Sequence, residues 1–393
     1  MKELISSISL NSFLYAIIVF VSIWSTLQID GYSIPFLKSI YWGTGVLVFF
    51  LHFGKENTLG LKNNHAAVGL LLLLLMIYII KVLNDPEYAN LVEGFLSCVL
   101  LSFVFDKGQK KELLLSKTIF LSFFIVNCII AIYERSIMEV VFWKGADTFL
   151  RANDMDAYQF RSAALTGHPV LSGFVTTIIL CFIQKSELKT KTKYIFTLLG
   201  IFALLCFNSR TNIIISSLIS ITLFLNMDES NIYKKAGRFL LGGIAVAIFV
   251  DLLLTTEWGG RLTSHEIGKG DESTMARIET LQVFLNMDFS ELLLGDMQLA
   301  ETANMLMTLN YIENGYILLI LEFGLILGLP FVYLLTKYQW DRLGVYKKYD
   351  KYIIFFMFVL VACTNPHLEN RIPFVIWLLS YYMLRPFPAN IKN

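Results

Sequence analysis

The chain has 393 residues, of which 56% are hydrophobic and 16% are charged, and its formal net charge is +1. Soluble globular domains are about half apolar and about a quarter charged, so this chain has too few polar side chains to cover a soluble core of its size. The composition excludes a soluble globular enzyme, a disordered chain and a disulfide scaffold. The near-zero net charge also gives no general attraction to nucleic acid, and a polytopic membrane protein remains.

Long apolar runs predict the helices of this protein. A helix that crosses the hydrocarbon core needs about 20 mostly apolar residues. Such runs predict an all-α polytopic membrane protein with about twelve transmembrane helices in a single integral membrane domain, residues 1–393. The runs lie near 9–27, 34–53, 66–84, 90–106, 113–133, 168–184, 193–207, 211–226, 237–254, 311–336, 352–365 and 371–385. The first run has no small-residue cleavage site, which indicates an uncleaved span.

Lys and Arg residues concentrate in alternate connections between these runs. Cytoplasmic loops of membrane proteins carry the excess of basic residues, and the intervening short loops of this chain are acidic instead. The alternation predicts an even number of spans with both termini in the cytoplasm. The basic connections contain Lys55 and Lys62; Lys107, Lys110 and Lys111; Lys185, Lys189, Lys191 and Lys193; Lys234, Lys235 and Arg238; and Lys337, Arg342, Lys347, Lys348 and Lys351.

Two connections on the predicted external side are long, residues 134–167 and 255–310. The second joins the ninth and tenth predicted spans, and long polar loops without low-complexity sequence are usually functional. Within it, Ser273 to Asn286 has apolar residues at helical spacing, which predicts a short amphipathic helix on the external face.

Several common site types have no counterpart in the sequence. It contains no P-loop, no G-x-G-x-x-G after a strand, no H-E-x-x-H and no carboxylate cluster with metal-ligand spacing, so we expect no metal, no cofactor and no ATP hydrolysis. All five cysteines lie in or at the end of apolar runs, which predicts buried thiols rather than a disulfide or zinc site.

Two short motifs place arginine beside predicted span ends. Arg161 precedes Gly167-His168-Pro169, which puts a cation and an imidazole at the mouth of a helix. Arg210 lies in Asn208-Ser209-Arg210-Thr211, between two spans with almost no loop. Arginine at membrane depth costs at least a few kcal/mol unless it is paired or lines a wet cavity. We interpret Arg210 as part of an anion site, while an interfacial anchor remains the alternative for Arg161.

The large external loop contains a third motif, the spaced arginines Arg261 and Arg277, followed by Leu294-Gly295-Asp296. Guanidinium groups suit bidentate contact with phosphate oxygens. The alternative is a solvated, salt-bridged face, because nine acidic residues surround them in the loop.

The fourth motif, Tyr311-Ile-Glu313-Asn314-Gly-Tyr316, begins the span that follows the large loop. The positive end of a helix stabilises a carboxylate there, so we expect Glu313 to face an external cavity. Glu322, farther along this span, is expected to tie helices together.

In their order and topology these motifs resemble the O-antigen polymerase and O-antigen ligase superfamily of bacterial envelope proteins, over roughly residues 150–335. The resemblance implies transfer of a saccharide from undecaprenyl pyrophosphate on the external face of the inner membrane, without a nucleotide sugar. It implies that Glu313 or His168 accepts the acceptor hydroxyl's proton and that Arg277 stabilises developing charge. The implied substrate-binding residues are Arg161, Arg210, Arg261, Arg277, Asn314 and Tyr316.

Glu313 separates the two branches of this superfamily. The ligase branch has His immediately before the helix-start Asn, whereas this chain has Glu313 there, which favours a polymerase that joins repeat units. A ligase-type transferase and a transporter or flippase of lipid-linked sugars are the alternatives. Besides the lipid bilayer and the lipid-linked oligosaccharide, a chain-length regulator protein is the partner that the resemblance implies.

Overall fold

The computed structural model describes residues 9–27, 64–142, 160–225, 287–298, 314–368 and 371–387, and residues 43, 45–47, 236, 237, 240, 251 and 312. Within this part of the chain the regular secondary structure is helical and no strand occurs, which confirms the predicted all-α class there. The helices are α1 (Leu10–Trp24), α2 (His65–Val82, ending in a π-helical turn), α3 (Ala89–Asp106), α4 (Leu114–Ile137), α5 (Pro169–Lys185), α6 (Thr190–Phe207), α7 (Arg210–Leu225), α8 (Phe289–Leu294), α9 (Gly315–Arg342), α10 (Lys348–Cys363) and α11 (Arg371–Leu384).

Several of these helices have the length and composition of membrane spans. Five helical segments of the described residues are long and apolar enough to cross a membrane: His65–Val82, Pro86–Asp106, Leu114–Ile137, Thr190–Phe207 and Gly315–Val345. Shorter apolar helices are Leu10–Trp24, Pro169–Lys185 and Ile372–Leu384. The protein is therefore a helical protein with several helices suited to a bilayer.

Helix boundaries differ from the predicted ones at two charged residues. Helix α4 continues to Ile137 and α9 continues to Arg342, so Glu134 and Arg342 lie in helices rather than in loops. Hydropathy ends a predicted span at the first charged residues, but the helix itself continues where those charges have partners. The predicted spans near 34–53 and 237–254 fall mostly outside the described residues.

The chain divides into two compact units. Unit 1 comprises Met1–Ser25, Phe36–Phe120 and Glu266–Asn393, and unit 2 comprises Thr26–Pro35 and Leu121–His265. Unit 1 thus holds α1 to α3 and α8 to α11, whereas unit 2 holds most of α4 together with α5 to α7.

The ends of four helices in unit 1 meet at the Asp106 carboxylate. Arg342 Nη1 donates to its Oδ1 and Oδ2 at 2.5 and 2.6 Å, and the Tyr382 hydroxyl donates at 2.7 Å. Asn64, just before α2, donates at 3.3 Å. The ends of α3, α9 and α11 and the start of α2 therefore lie together. All four of these ends lie on the side that the basic residues predict to be cytoplasmic.

Aromatic side chains fill the interior of unit 1 between α3, α9 and α11. Phe95 of α3 packs edge-on against Phe331 of α9, with ring centroids 5.1 Å apart, and lies 5.5 Å from Phe374 of α11. Trp377 stacks on Phe374 and Tyr381 with nearly parallel rings. Such rings bury large apolar areas with defined geometry, so they fix how α3, α9 and α11 pack.

Candidate functional site

The structure describes five of the sequence-predicted site residues. Arg161, His168 and Arg210 lie in unit 2, and Asn314 and Tyr316 lie in unit 1. The other three candidates, Arg261, Arg277 and Glu313, fall outside the described residues. The predicted amphipathic helix also falls outside them.

In unit 2, the buried Glu134 carboxylate anchors the segment that carries Arg161 and His168. Its Oε2 accepts from the backbone N–H groups of Ala163 and Ala164, each at 2.8 Å, and its Oε1 accepts from Val141 N at 3.0 Å. Hydrogen bonds to a charged acceptor are stronger than neutral ones. Glu134 therefore fixes the backbone of this segment against the end of α4.

Three further side chains hold the same segment. Arg135 Nη1 donates to the Phe160 carbonyl at 2.7 Å, and Asn127 Oδ1 accepts from Leu165 N at 3.2 Å. The Ser162 hydroxyl donates to the Ala131 carbonyl at 2.8 Å. All three side chains are buried, and their hydrogen bonds join this segment to α4.

The segment ends in a turn that begins helix α5. Gly167 has φ +74°, a left-handed conformation that glycine adopts readily. His168 then has extended backbone as the N-cap residue, and Pro169 occupies the first helical position, where its missing N–H costs nothing. The Gly-His-Pro motif therefore places a partly exposed imidazole at the start of α5, as the sequence predicted.

The structure brings the two arginine motifs of unit 2 together. Arg161 Nε donates to the Phe207 carbonyl at 3.2 Å, and Ser162 N donates to the Cys206 carbonyl at 3.0 Å. Asn208 ends α6 in a left-handed conformation, with φ +50°, and Arg210 begins α7 two residues later. Arg161 is therefore bonded to the turn that carries Arg210.

Close packing between α5 and α7 fixes the position of this turn. A Cβ on Gly173 would lie 2.7 Å from Asn212 Nδ2 and 3.2 Å from Ser209 Cβ. Asn212 Nδ2 donates to the Ser209 hydroxyl at 2.8 Å, and the Ser216 hydroxyl donates to Thr177 at 3.1 Å. Gly173 allows α7 to approach, and the buried polar groups between the two helices set its register.

This end of unit 2 carries two arginines and a histidine. Arg161 and Arg210 are both partly exposed, and guanidinium groups match the oxygens of phosphate. His168 begins a helix that packs against α6 and α7 and is a side chain suited to general base chemistry. Among the described residues, no group of three or more His, Cys, Asp or Glu side chains is arranged to hold a metal ion.

In unit 1, Asn314 caps helix α9. Its Oδ1 accepts from Tyr316 N at 3.1 Å and from Ile317 N at 3.2 Å, which satisfies two of the four N–H groups that a helix start leaves open. The helix therefore begins at Gly315, four residues after the predicted start of the span. Tyr316 is buried in its first turn.

A short segment of the large loop enters a break in helix α9. Gly324 has φ +76° and ψ 166°, which are not helical values. Asp296 N donates to the Leu321 carbonyl at 3.1 Å, and the Tyr88 hydroxyl donates to the Glu322 carbonyl at 3.0 Å. Carbonyl groups at the break are thus satisfied from outside the helix, as a helix interrupted in a membrane protein requires.

Lys81, at the end of α2, holds this inserted segment. Its Nζ donates to the carbonyls of Leu294 and Gly295, each at 2.6 Å, and lies 5.2 Å from the centre of the Tyr88 ring. These carbonyls end the short helix α8, where the helix dipole favours a cation.

Sequence reasoning missed both Glu134 and Lys81. Glu134 occupied the boundary of a predicted span and loop, and Lys81 lay inside an apolar run. A lone charge within such a run is the signal that could have found Lys81, since it must have a partner there. The corresponding signal for the broken helix is the presence of Gly324, Gly328 and Pro330 within α9.

Neither known protein-family models nor curated protein sequences match this chain.

Proposed function

We propose that this protein is a polysaccharide repeat-unit polymerase of the O-antigen polymerase and ligase type, in the bacterial inner membrane. The observation that carries the proposal is the bond from Arg161 to the Phe207 carbonyl, which joins two arginine motifs at one end of unit 2. Two guanidinium groups on neighbouring turns suit a pyrophosphate, whose charge is spread over two phosphoryl groups.

The proposed topology has about twelve spans, both termini in the cytoplasm and residues 255–310 on the external face. The convergence of four helix ends at Asp106 supports it, because three of them flank connections that the positive-inside rule assigns to the cytoplasm and the fourth precedes the C-terminal segment, which is predicted to lie on the same side. At the opposite ends of α2 and α3, Lys81 donates to the inserted segment of the large loop. Tyr88 donates to a carbonyl at the break in α9 that receives this segment.

In the proposed reaction, a hydroxyl oxygen of one lipid-linked unit attacks the anomeric carbon of another unit. The bond from that carbon to the pyrophosphate oxygen breaks, and undecaprenyl pyrophosphate leaves. Arg161 and Arg210, with Arg261 and Arg277 of the large loop, stabilise the charge that develops on the leaving group. Asn314 and Tyr316 bind the glycan in the proposed reaction.

A base takes the proton of the attacking hydroxyl in this reaction. The proposal assigns this role to Glu313 or His168. A chain-length regulator protein is the proposed partner in the membrane.

A strain that lacks the gene tests the proposal. Gel electrophoresis of its surface polysaccharide should show single repeat units, and re-expression of the chain should restore the ladder. Unchanged chain length would overturn the proposal, while full-length polymer retained on the lipid carrier would identify a ligase instead.

The broken helix α9 favours one candidate of another class, a transporter of lipid-linked saccharides. Transporter sites are commonly built at discontinuous helices, and Gly324 interrupts α9. A transporter predicts that single units accumulate on the cytoplasmic face in the deletion strain, whereas a polymerase predicts that they accumulate on the external face. Accessibility of the units to an impermeant glycosidase in intact spheroplasts distinguishes the two.

A further inference from the structure

Basic and aromatic side chains meet at the end of unit 1 where α3 and α11 finish. Arg385 is the first residue after α11, and its Cζ lies 4.8 to 5.4 Å from the centres of three rings, those of Tyr381, Tyr382 and Phe387. Lys110, on the connection between α3 and α4, has its Nζ 5.9 Å from the centre of the Phe387 ring. Two cations therefore lie over one ring. We call Lys110, Arg385 and Phe387 the basic–aromatic surface.

Hydrogen bonds hold the connection that carries Lys110. The Glu112 carboxylate accepts from Gln109 N at 3.0 Å through Oε2 and from Asn11 Nδ2, on α1, at 3.1 Å through Oε1. Glu112 is 8% exposed, so its charge is directed to these donors inside the protein. Asp106, at the end of α3, is bonded to side chains at three other helix ends. The two carboxylates that flank this connection are thus engaged within the protein.

The charge that remains on the outside of this connection is positive. Lys110 and Lys111 are exposed, and Lys107 is partly exposed. The residues that follow α11, 385–393, contain two basic side chains and no acidic one. Clustered charge of one sign raises the local concentration of ions of the opposite sign. An anion is therefore the class of ligand that this surface attracts.

The position of the basic–aromatic surface along the helices indicates which anion it meets. Pro86–Asp106 is long and apolar enough to cross a membrane, and Ile372–Leu384 is a shorter apolar helix. A basic residue, Lys107 or Arg385, follows each of them directly. Residues just beyond an apolar helix of a membrane protein lie at the depth of the lipid headgroups, where tyrosine rings also concentrate. The anions at that depth are lipid phosphates, which clustered lysines and arginines bind.

The side chains of this surface suit a phosphate group in particular. A guanidinium group that packs its face on aromatic rings keeps the N–H groups of its edge for acceptor oxygens. The edge of Arg385 therefore matches a pair of phosphate oxygens. Lys110 brings an ammonium group with three donors to the same ring.

We propose that the basic–aromatic surface binds the phosphate headgroup of an anionic phospholipid in the cytoplasmic leaflet. Arg385 and Lys110 bind the phosphate oxygens, and the Phe387 ring holds the two cations together. The bound lipid then joins the end of α11 to the connection between α3 and α4. The inference uses the proposed topology, which assigns this side of unit 1 to the cytoplasm, and no part of the proposed reaction.

Binding of a short-chain anionic phospholipid to the full chain in a neutral detergent tests the inference. The probe is dioctanoyl phosphatidylglycerol, dioctanoyl phosphatidylcholine is the matched lipid without net charge, and microscale thermophoresis gives the dissociation constants. The wild type should bind phosphatidylglycerol at least about tenfold more tightly than phosphatidylcholine. Arg385→Gln and Lys110→Gln should each weaken binding of phosphatidylglycerol about fivefold, the effect of one basic residue near anionic lipid. Their binding of phosphatidylcholine should not change.

Lys348→Gln is the matched control, because it removes the same charge at an exposed position on the same predicted side of unit 1. It should bind phosphatidylglycerol as the wild type does. Equal weakening by Lys348→Gln would show a general attraction to the basic side and would overturn the inference. Equal affinity of the wild type for the two lipids would also overturn it. Binding of inorganic phosphate as tight as that of phosphatidylglycerol would identify a site for a free anion instead.

Folding of the variants is checked by their melting temperatures without added lipid. Arg385→Gln removes the contacts with three rings, so a loss of binding counts only if this variant still unfolds cooperatively. Lys110 is exposed, and Lys110→Gln keeps the inference testable if Arg385→Gln does not fold. Unchanged affinity of Lys110→Gln for phosphatidylglycerol would contradict the inference.

The deletion strain separates this inference from the proposed function. If deletion leaves the polysaccharide length unchanged while both variants lose affinity for phosphatidylglycerol, the polymerase proposal fails and the lipid site stands. If deletion leaves only single repeat units while both variants bind phosphatidylglycerol as the wild type does, the lipid site fails and the polymerase proposal stands.

Discussion

Gly295 and Gly324 lie in direct backbone contact: a Cβ on either glycine would overlap main-chain atoms of the other's segment. Gly295 has φ +69° and ψ 153°, and Gly324 has φ +76° and ψ 166°. Both conformations lie near a region that is essentially restricted to glycine. The contact seats the end of α8 in the break of α9, so these two glycines determine how the large loop attaches to a helix suited to span the membrane.

Gly324→Ala should therefore destabilise the protein by about 3 kcal/mol or more, from backbone strain and steric overlap together. The measurement is thermal unfolding of the purified protein, followed by circular dichroism. Gly344→Ala is the control, since a Cβ there meets nothing within 4 Å. Equal melting temperatures for the two variants would show that α9 is not broken at Gly324.

Lys81→Met should weaken the attachment of the same segment. It leaves the Leu294 and Gly295 carbonyls without their ammonium donor, at a cost of about 1–3 kcal/mol. Limited proteolysis should then cut near residues 287–298 faster than in the wild type. Lys337→Met provides the comparison, because its salt bridge to Asp341 is exposed and such pairs contribute about 0–1 kcal/mol. Identical cleavage rates for the two variants would contradict the role of Lys81.

Asp106 and Arg342 should be strongly coupled. The ion pair is partly buried, with Arg342 8% and Asp106 22% exposed, and Asp106 also accepts from Tyr382 and Asn64. A double-mutant cycle with Asp106→Asn and Arg342→Met should give a coupling free energy of at least about 1.5 kcal/mol. The same cycle at Lys337 and Asp341 should give about 0.5 kcal/mol or less. A coupling near zero at Asp106 would remove this support for the proposed sidedness.

Glu134→Ala should disorder the segment that carries Arg161 and His168. Three backbone N–H groups lose their acceptor, which predicts a loss of about 3 kcal/mol or more of stability and of glycan assembly. Glu139→Ala, at an exposed position on the same end of α4, should leave both unchanged. Normal glycan assembly by Glu134→Ala would show that the geometry of this segment is not needed for activity.

The pattern of apolar runs and basic loops predicts most of the helices, because both depend on short stretches of chain. The spans predicted near 66–84, 90–106 and 193–207 correspond to α2, α3 and α6. The sequence also singled out Arg161 and Arg210, but their meeting at Phe207 depends on how α5, α6 and α7 pack, which no local pattern encodes. Gly324 itself is a local signal of a break, but the partners of the carbonyls at the break, Asp296 and Tyr88, are distant in sequence.

Arg210→Ala should reduce glycan assembly in cells by about a hundredfold, the typical effect of removing one donor that stabilises developing charge. Arg210→Lys should retain part of the activity, because an ammonium group keeps the charge but not the bidentate geometry. Lys191→Ala, an exposed change at the start of α6, is the control. The readout is the length distribution of the surface polysaccharide at matched protein levels. Full activity of Arg210→Ala would contradict the anion site.

Chain growth by the purified protein, reconstituted in liposomes with its lipid-linked repeat unit, tests the central claim most directly. The account predicts longer lipid-linked glycans, with one undecaprenyl pyrophosphate released for each unit joined and without any nucleotide. The same preparation of Arg210→Ala should be nearly inactive. Repeat units that stay single, or that only cross the bilayer, would contradict the account.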